Sequence, residues 1–265
     1  MPMKARCSYI SGVRAFESAI RIEFENAEIR DAVDRFLLPT LPRCEVAAES
    51  ADVRIAVLKD SREFQIFIDE REVASADTVE AAALGAVKAL DDALVQKLRT
   101  LRAVHAGAVV LQGKALLIPG SSHAGKSSLV AALLSRGAAH LSDEYALVDE
   151  EGRVHAYPRP LLLRNGSPRQ TLVLPSDLNA HFELKPVEVG WILAVDYDPE
   201  GAWNVMPISQ AEAVMRLLRN TPHEMERSPE MVELFTRAAA AAECYAGTRG
   251  DVVEAVDSIL ALVAK

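Results

Sequence analysis

Residues 114–137 read KALLIPGSSHAGKSSLVAALLSRG. An apolar run, a loop with two glycines and a second apolar run follow one another without a break. The first run, Ala115-Leu116-Leu117-Ile118, carries no polar residue and reads as a strand that leads straight into the loop. The second, from Ser127 to Leu134, reads as a helix that Gly137 ends. Between them, Gly120, Gly125, Lys126 and Ser127 meet the spacing G-x-x-x-x-G-K-[ST]. That spacing has a physical reason. A chain that wraps an anion with its backbone N–H groups needs glycine where it turns sharply or approaches the ligand closely. The helix that follows turns its free N–H groups and the positive end of its dipole to the same anion. In such a loop Lys126 reaches the β- and γ-phosphates, and the Ser127 hydroxyl ligates magnesium. Gly120, Ser121, Ser122, His123, Ala124, Gly125, Lys126, Ser127 and Ser128 therefore form a candidate nucleoside triphosphate site. The base-selecting motif N-K-x-D is absent, which points to ATP rather than GTP, with Mg2+ as the accompanying ion.

The surroundings place this loop in an α/β fold. Upstream, Val104 to Leu111 is apolar and Gln112-Gly113 reads as a tight turn, so the run into the loop is the second strand of a hairpin. Downstream, His140 to Asp143 reads as a short strand, followed by Tyr145 to Val148 and Arg153 to Ala156 around the turn Glu150-Glu151-Gly152. Trp191 to Val195 reads as a buried strand. Helices are expected over residues 209–219, 229–242 and 251–263. Residues 1–102 read as a separate small α/β unit. Arg21 to Phe24 alternates as a strand, and Asp52 to Leu58 with Phe64 to Ile68 reads as a hairpin. A long amphipathic helix is expected from Asp77 to Leu101, capped by Asp77 or Ser75. The second unit is then residues 103–265.

Composition narrows the function classes. The chain has 265 residues and a net charge of -9, which argues against nucleic acid or an anionic membrane as the principal partner. The three cysteines, Cys7, Cys44 and Cys244, lie far apart and fit neither a disulfide framework nor a metal knuckle, so a reducing cytoplasm is expected. Residues 1–14 lack the apolar stretch of a signal peptide, and no apolar run approaches the roughly 18 residues of a membrane span. His140, His155, His181 and His223 show no metal-ligand spacing. Ser142 lacks the G-x-S-x-G surroundings of a nucleophile. Trp191 and Trp203 read as core residues.

Asp143 and Glu144 come sixteen residues after Ser127, directly after the loop's helix, whereas an ABC-type ATPase needs a much longer intervening chain. In this order the chain resembles the catalytic domain of HPr kinase/phosphorylase and its stand-alone, HPr-kinase-related relatives. The resemblance lies in His105-Ala106-Gly107-Ala108-Val109-Val110, in the loop and its helix ending Ser135-Arg136-Gly137, and in His140-Leu141-Ser142-Asp143-Glu144. Tyr157 to Arg164 is similar to the stand-alone relatives. The resemblance covers roughly residues 103–200. It implies a P-loop fold with a mixed sheet, shared with phosphoenolpyruvate carboxykinases, and phosphoryl transfer to serine.

Carried over by position, the resemblance makes Asp143 the general base for the acceptor hydroxyl. His105 orients Asp143 or balances its charge. Ser127, Asp143 and Glu144 are the metal-side oxygens. Arg164 stabilises charge on the γ-phosphoryl, with Arg159 and Arg169 as alternatives. Four departures matter. His123 stands where the family loop usually has glycine, Glu144 replaces an aspartate, and Leu163 replaces a glutamate. The glycine-rich signature of the bifunctional enzymes is absent. The reverse, phosphorolytic reaction is therefore not expected, and neither is HPr as acceptor. What is expected is an ATP- and magnesium-dependent serine kinase. Its acceptor is a hydroxyl on a protein, a peptide or a small molecule, and a homo-oligomer is compatible with the family. The alternatives are an ATP-binding regulatory module without transfer, and small-molecule chemistry like that of the carboxykinases.

Overall fold

Alternating apolar residues set up the first sheet. β1 (Tyr9–Ala15) and β2 (Ser18–Phe24) form a hairpin whose turn residues, Phe16 and Glu17, both take positive φ. β2 runs parallel to β4 (Val53–Asp60), which pairs antiparallel with β5 (Glu63–Ile68). β6 (Arg71–Ala76) and β3 (Arg43–Cys44) complete the order β3-β1-β2-β4-β5-β6. Ile20, Ile22, Ile55, Val57 and Ile66 are fully buried. α1 (Ala27–Phe36) starts where the Asn26 side chain accepts from Ile29 N at 3.1 Å.

The computed structural model describes residues 7–37, 41, 43–60, 62–121, 124–163, 171–222, 225 and 227–264. The chain divides into two units between Arg99 and Thr100. The first closes with α2 (Val79–Lys97). Two expectations for this helix are corrected. Thr78, not Asp77 or Ser75, is the cap, because its extended backbone brings Oγ1 within 3.2 Å of Ala81 N. The helix ends at Lys97 rather than Leu101, since Leu98 leaves it at ψ 129. Its buried stripe is also richer in alanine than in leucine: Ala82, Ala83, Ala86, Ala89 and Ala93 accompany Val87, Leu90 and Leu94.

In the second unit, β7 (Arg102–Leu111) and β8 (Lys114–Pro119) form the expected hairpin, with Gln112 and Gly113 at positive φ. α3 (Lys126–Ser135) follows the loop, and Gly137 at φ 93 ends it. Next come β9 (Ala139–Ser142), β10 (Tyr145–Val148) and β11 (Arg153–His155). A two-stranded ribbon of β12 (Leu161–Leu163) and β13 (Thr171–Val173) stands apart, and β14 (His181–Phe182) edges β9. β15 (Val187–Tyr197), β16 (Asn204–Pro207), α4 (Gln210–Arg219), α5 (Pro229–Ala240), β17 (Glu243–Arg249) and α6 (Val252–Val263) end the chain.

β7 and β15 are long because each serves two sets of partners. Their first residues pair with β10 and β11, and their later ones with β8, β9 and β17. β8, β15 and β17 run parallel to one another. The resulting nine-stranded mixed sheet is covered on both faces. Ala115, Leu117 and Ile192 meet Leu217, Met231 and Phe235 of α4 and α5. Leu116, Ile118, Trp191 and Leu193 meet Leu129 and Leu133 of α3 with Val256 and Ile259 of α6. This two-sided burial is why β8 reads as an unbroken apolar run. The fold is mixed α/β, with six α-helices among the described residues. No described helix is long and apolar enough to cross a membrane.

Candidate functional site

The loop emerges from the C-terminal end of β8, where open α/β sheets place their ligands. Its first residue is tied to β7: Gly120 N donates to the His105 carbonyl at 3.3 Å. Gly125 is left-handed, at φ 76 and ψ 20, and is the N-cap of α3 with no side chain to satisfy the helix's first N–H groups. Lys126 is buried at 7 % exposure, and its Nζ donates to the Ser121 carbonyl at 2.9 Å. Burial pushes its ammonium below the usual lysine range, while Glu144 and Asp143 act to hold the charge. Ser127 and Ser128 lie in the first turn of α3, half-buried. Ser122 and His123 lie outside the described residues.

Asp143 follows β9 and faces the same helix start. It is 5 % exposed, and its Oδ1 has no hydrogen-bond partner. Burial pushes its carboxyl up to about 6, against the Ser127 hydroxyl, which hydrogen-bonds the carboxyl, and against Lys126 and His105; the charge of Glu144 adds to the rise. Its neighbour Glu144 is more open, and His105 Nε2 lies 3.4 Å from Glu144 Oε1. The register explains this contact: Tyr145 is opposite His105 in the β7–β10 ladder, and Ala106 N donates to Glu144 O at 3.3 Å. His105, Lys126, Ser127, Asp143 and Glu144 thus come together from three separate stretches of chain. Close packing beneath them leaves no room for a side chain at Gly107, where a Cβ would meet Val130 at 2.6 Å.

The arginines are less uniform. Arg164 and Arg169 lie outside the described residues. Arg159 is 3 % exposed, stacks on the Tyr157 ring at 4.0 Å and donates to the Tyr157 hydroxyl and the Pro158 carbonyl. An arginine not foreseen from the sequence, Arg249 at the end of β17, donates through Nη2 to the Gly125 carbonyl at 2.9 Å. Only the parallel β8-β15-β17 arrangement reveals it, because 124 positions separate the two residues.

Ser142 Oγ donates to the Tyr145 carbonyl at 2.6 Å, a turn contact. Trp191 packs in the core and Trp203 against it. No cluster of three or more His, Cys, Asp or Glu side chains forms a metal site among the described residues. Ser127, Asp143 and Glu144 nevertheless supply hard oxygens, and the bare Asp143 Oδ1 is an atom a cation would satisfy. Such a set suits magnesium, which keeps several waters and takes further ligands from phosphate.

No family model matches the chain, and no curated protein matches it. Among solved structures, the HPr(Ser) kinase/phosphatase from Coxiella burnetii is similar over 62% of this chain and 98% of that one. The identity is 14% and the TM-score 0.31, a distant structural relationship.

Proposed function

We propose that the second unit binds ATP with magnesium and transfers the γ-phosphoryl to a serine or other hydroxyl acceptor on a protein, peptide or small molecule. The observation that carries the reading is Asp143, a buried carboxylate with an unpartnered oxygen, beside the lysine and serine that open the helix after the glycine loop. The loop amides and the α3 N-terminus cradle the β- and γ-phosphates. Lys126 exchanges the Ser121 carbonyl for phosphate oxygens. Ser127 with Asp143 or Glu144 holds magnesium, which when bound neutralises charge on the phosphates.

The acceptor oxygen forms its bond to the γ-phosphorus as the bond to the bridging oxygen breaks. ADP leaves, and the hydroxyl proton passes to Asp143. A carboxyl raised to about 6 is ionised at neutral pH yet basic enough to take that proton. His105 holds Glu144, the residue next to Asp143, and so orients the acidic pair. Arg164 remains the proposed cation for the transferred group, with Arg159 and Arg169 as the alternatives. Residues 103–265 are the proposed catalytic unit, and the cytoplasm its proposed location.

Titration with magnesium ATP, followed by incubation of γ-labelled ATP with hydroxyl-bearing peptides and small molecules, tests this. Wild type is expected to bind and to label an acceptor, and Lys126→Ala to lose binding by tenfold or more. Equal binding by Lys126→Ala and wild type removes the nucleotide site. Binding without transfer to any acceptor, by wild type and Asp143→Asn alike, leaves a regulatory module instead of a kinase.

A further inference from the structure

Tyr197 and Arg249, the last residues of β15 and β17, are register partners in a parallel pair. The register of β15 on β8 sets Ile192 beside Leu117, so β15 runs on past the end of β8 and brings its own end alongside the loop. Arg249 is only 3 % exposed. Its Nη1 donates to the Gly250 carbonyl at 3.0 Å, its Nη2 to the Gly125 carbonyl at 2.9 Å, and its guanidinium lies 4.7 Å from the centre of the Tyr197 ring. Its Nε is buried without a partner. Among the described residues no carboxylate forms an ion pair with it.

This is an unfavourable place for a cation. A buried charge without a counter-charge is costly. The start of α3 is moreover the positive end of a helix, and Lys126 adds a second buried cation there. Asp251 acts on it only from beyond ion-pair distance and burial still pushes its guanidinium below the usual arginine range, whereas a polyphosphate at the loop would offset the charge directly.

The geometry also gives Arg249 a task. The Gly125 carbonyl accepts from both Arg249 Nη2 and Leu129 N, the latter at 3.2 Å. Because the peptide is planar and trans, the direction of that C=O fixes the opposite direction of the Lys126 N–H, one of the unpaired donors of α3. Any residue with a Cβ at 125 would put that atom 2.0 Å from Arg249 Nη2, so the glycine makes room for the arginine as well as for the turn.

We propose that Arg249 is the positioning residue of this loop, aiming the Lys126 N–H at a bound polyphosphate and supplying buried positive charge beside it. The inference rests on the triphosphate-binding reading above. Its test uses the full chain, with magnesium ATP, inorganic tripolyphosphate and adenosine as probes in calorimetric titration. Arg249→Gln is expected to raise the Kd for ATP and for tripolyphosphate by about tenfold to a hundredfold, the range for a hydrogen bond from a charged group. Adenosine affinity is expected to stay within about twofold. Arg249→Lys, which keeps the charge without the planar fork, is expected to recover part of the loss and serves if Arg249→Gln does not fold.

If both variants fold and bind ATP as wild type does while Lys126→Ala loses it, the role of Arg249 is overturned and the triphosphate site stands. An equal loss for adenosine marks general damage and also overturns it. If wild type binds neither ATP nor tripolyphosphate, the underlying reading falls and takes this one with it.

Discussion

His105 Nε2 sits 3.4 Å from Glu144 Oε1, joining the middle of β7 to the turn after β9. The same stretch of β7 also anchors the loop, through Gly120 N on the His105 carbonyl. The backbone bond survives any change of side chain, so the two roles separate by mutation. His105→Ala is expected to leave ATP affinity within about threefold and to lower the transfer rate by about tenfold or more, the scale of a lost group that tunes an acid or base. Parallel measurement of Kd and single-turnover rate checks this. A variant that loses affinity and keeps its rate contradicts the assignment.

Asp143 and His140 lie three positions apart, and burial moves them in opposite directions. The Asp143 carboxyl rises from 3.8 to about 6, and the His140 imidazole falls from 6.5 to about 4. His140 is fully buried with neither ring nitrogen bonded; the Ser142 backbone approaches the ring without hydrogen-bonding geometry. The unfolded chain gives up the Asp143 proton near pH 4 and the folded one near pH 6, so this group's contribution to stability falls as pH rises through that window. For His140 the unfolded chain gains a proton below about 6.5 and the folded one only near 4, so its contribution falls as pH drops.

The two slopes nearly cancel in the metal-free wild type. Asp143→Asn unmasks the histidine. It is expected to be more stable than wild type at pH 7.5 by about 3 kcal/mol, from a shift of roughly two pH units, and to lose that margin toward pH 4. His140→Leu is expected to gain relative to wild type by up to about 3 kcal/mol between pH 7.5 and pH 4. Urea unfolding across that range measures both. Parallel pH profiles for wild type and Asp143→Asn contradict the burial of an ionisable Asp143.

Gly125→Ala tests the link between the loop and Arg249. Left-handed backbone costs an alanine about 1–2 kcal/mol, and the new methyl adds a clash with the arginine. Removing the guanidinium relieves only the second part. The double variant Gly125→Ala with Arg249→Gln is therefore expected to be less destabilised than the sum of the singles, by about 0.5 kcal/mol or more. Thermal unfolding of all four proteins gives the coupling, and strict additivity contradicts the contact.

Much of this site was readable because its signals are local. The glycine spacing, the apolar run of β8, the stop at Gly137 and the turn at Gln112-Gly113 each need only a few neighbouring residues. The cap of α2 is not legible in the sequence, because Ser75, Asp77 and Thr78 all have capping side chains and backbone geometry alone chooses Thr78. α1 has a local signal of its own, since Ile29, Ala32, Val33 and Phe36 keep helical spacing after Asn26. β17 was hidden for a different reason. Glu243-Cys244-Tyr245-Ala246-Gly247-Thr248-Arg249 has a weak pattern, and its place comes from parallel pairing with β15, a long-range choice. Arg249 was hidden with it, since nothing near it in sequence points to Gly125.

The most direct test of the account is transfer of γ-labelled phosphoryl under single-turnover conditions, with wild type and Asp143→Asn side by side at matched ATP saturation. Asp143→Asn is expected to bind magnesium ATP and to transfer label at least about a hundredfold more slowly, as for loss of a general base. Equal transfer rates for the two proteins would contradict the central role given to Asp143.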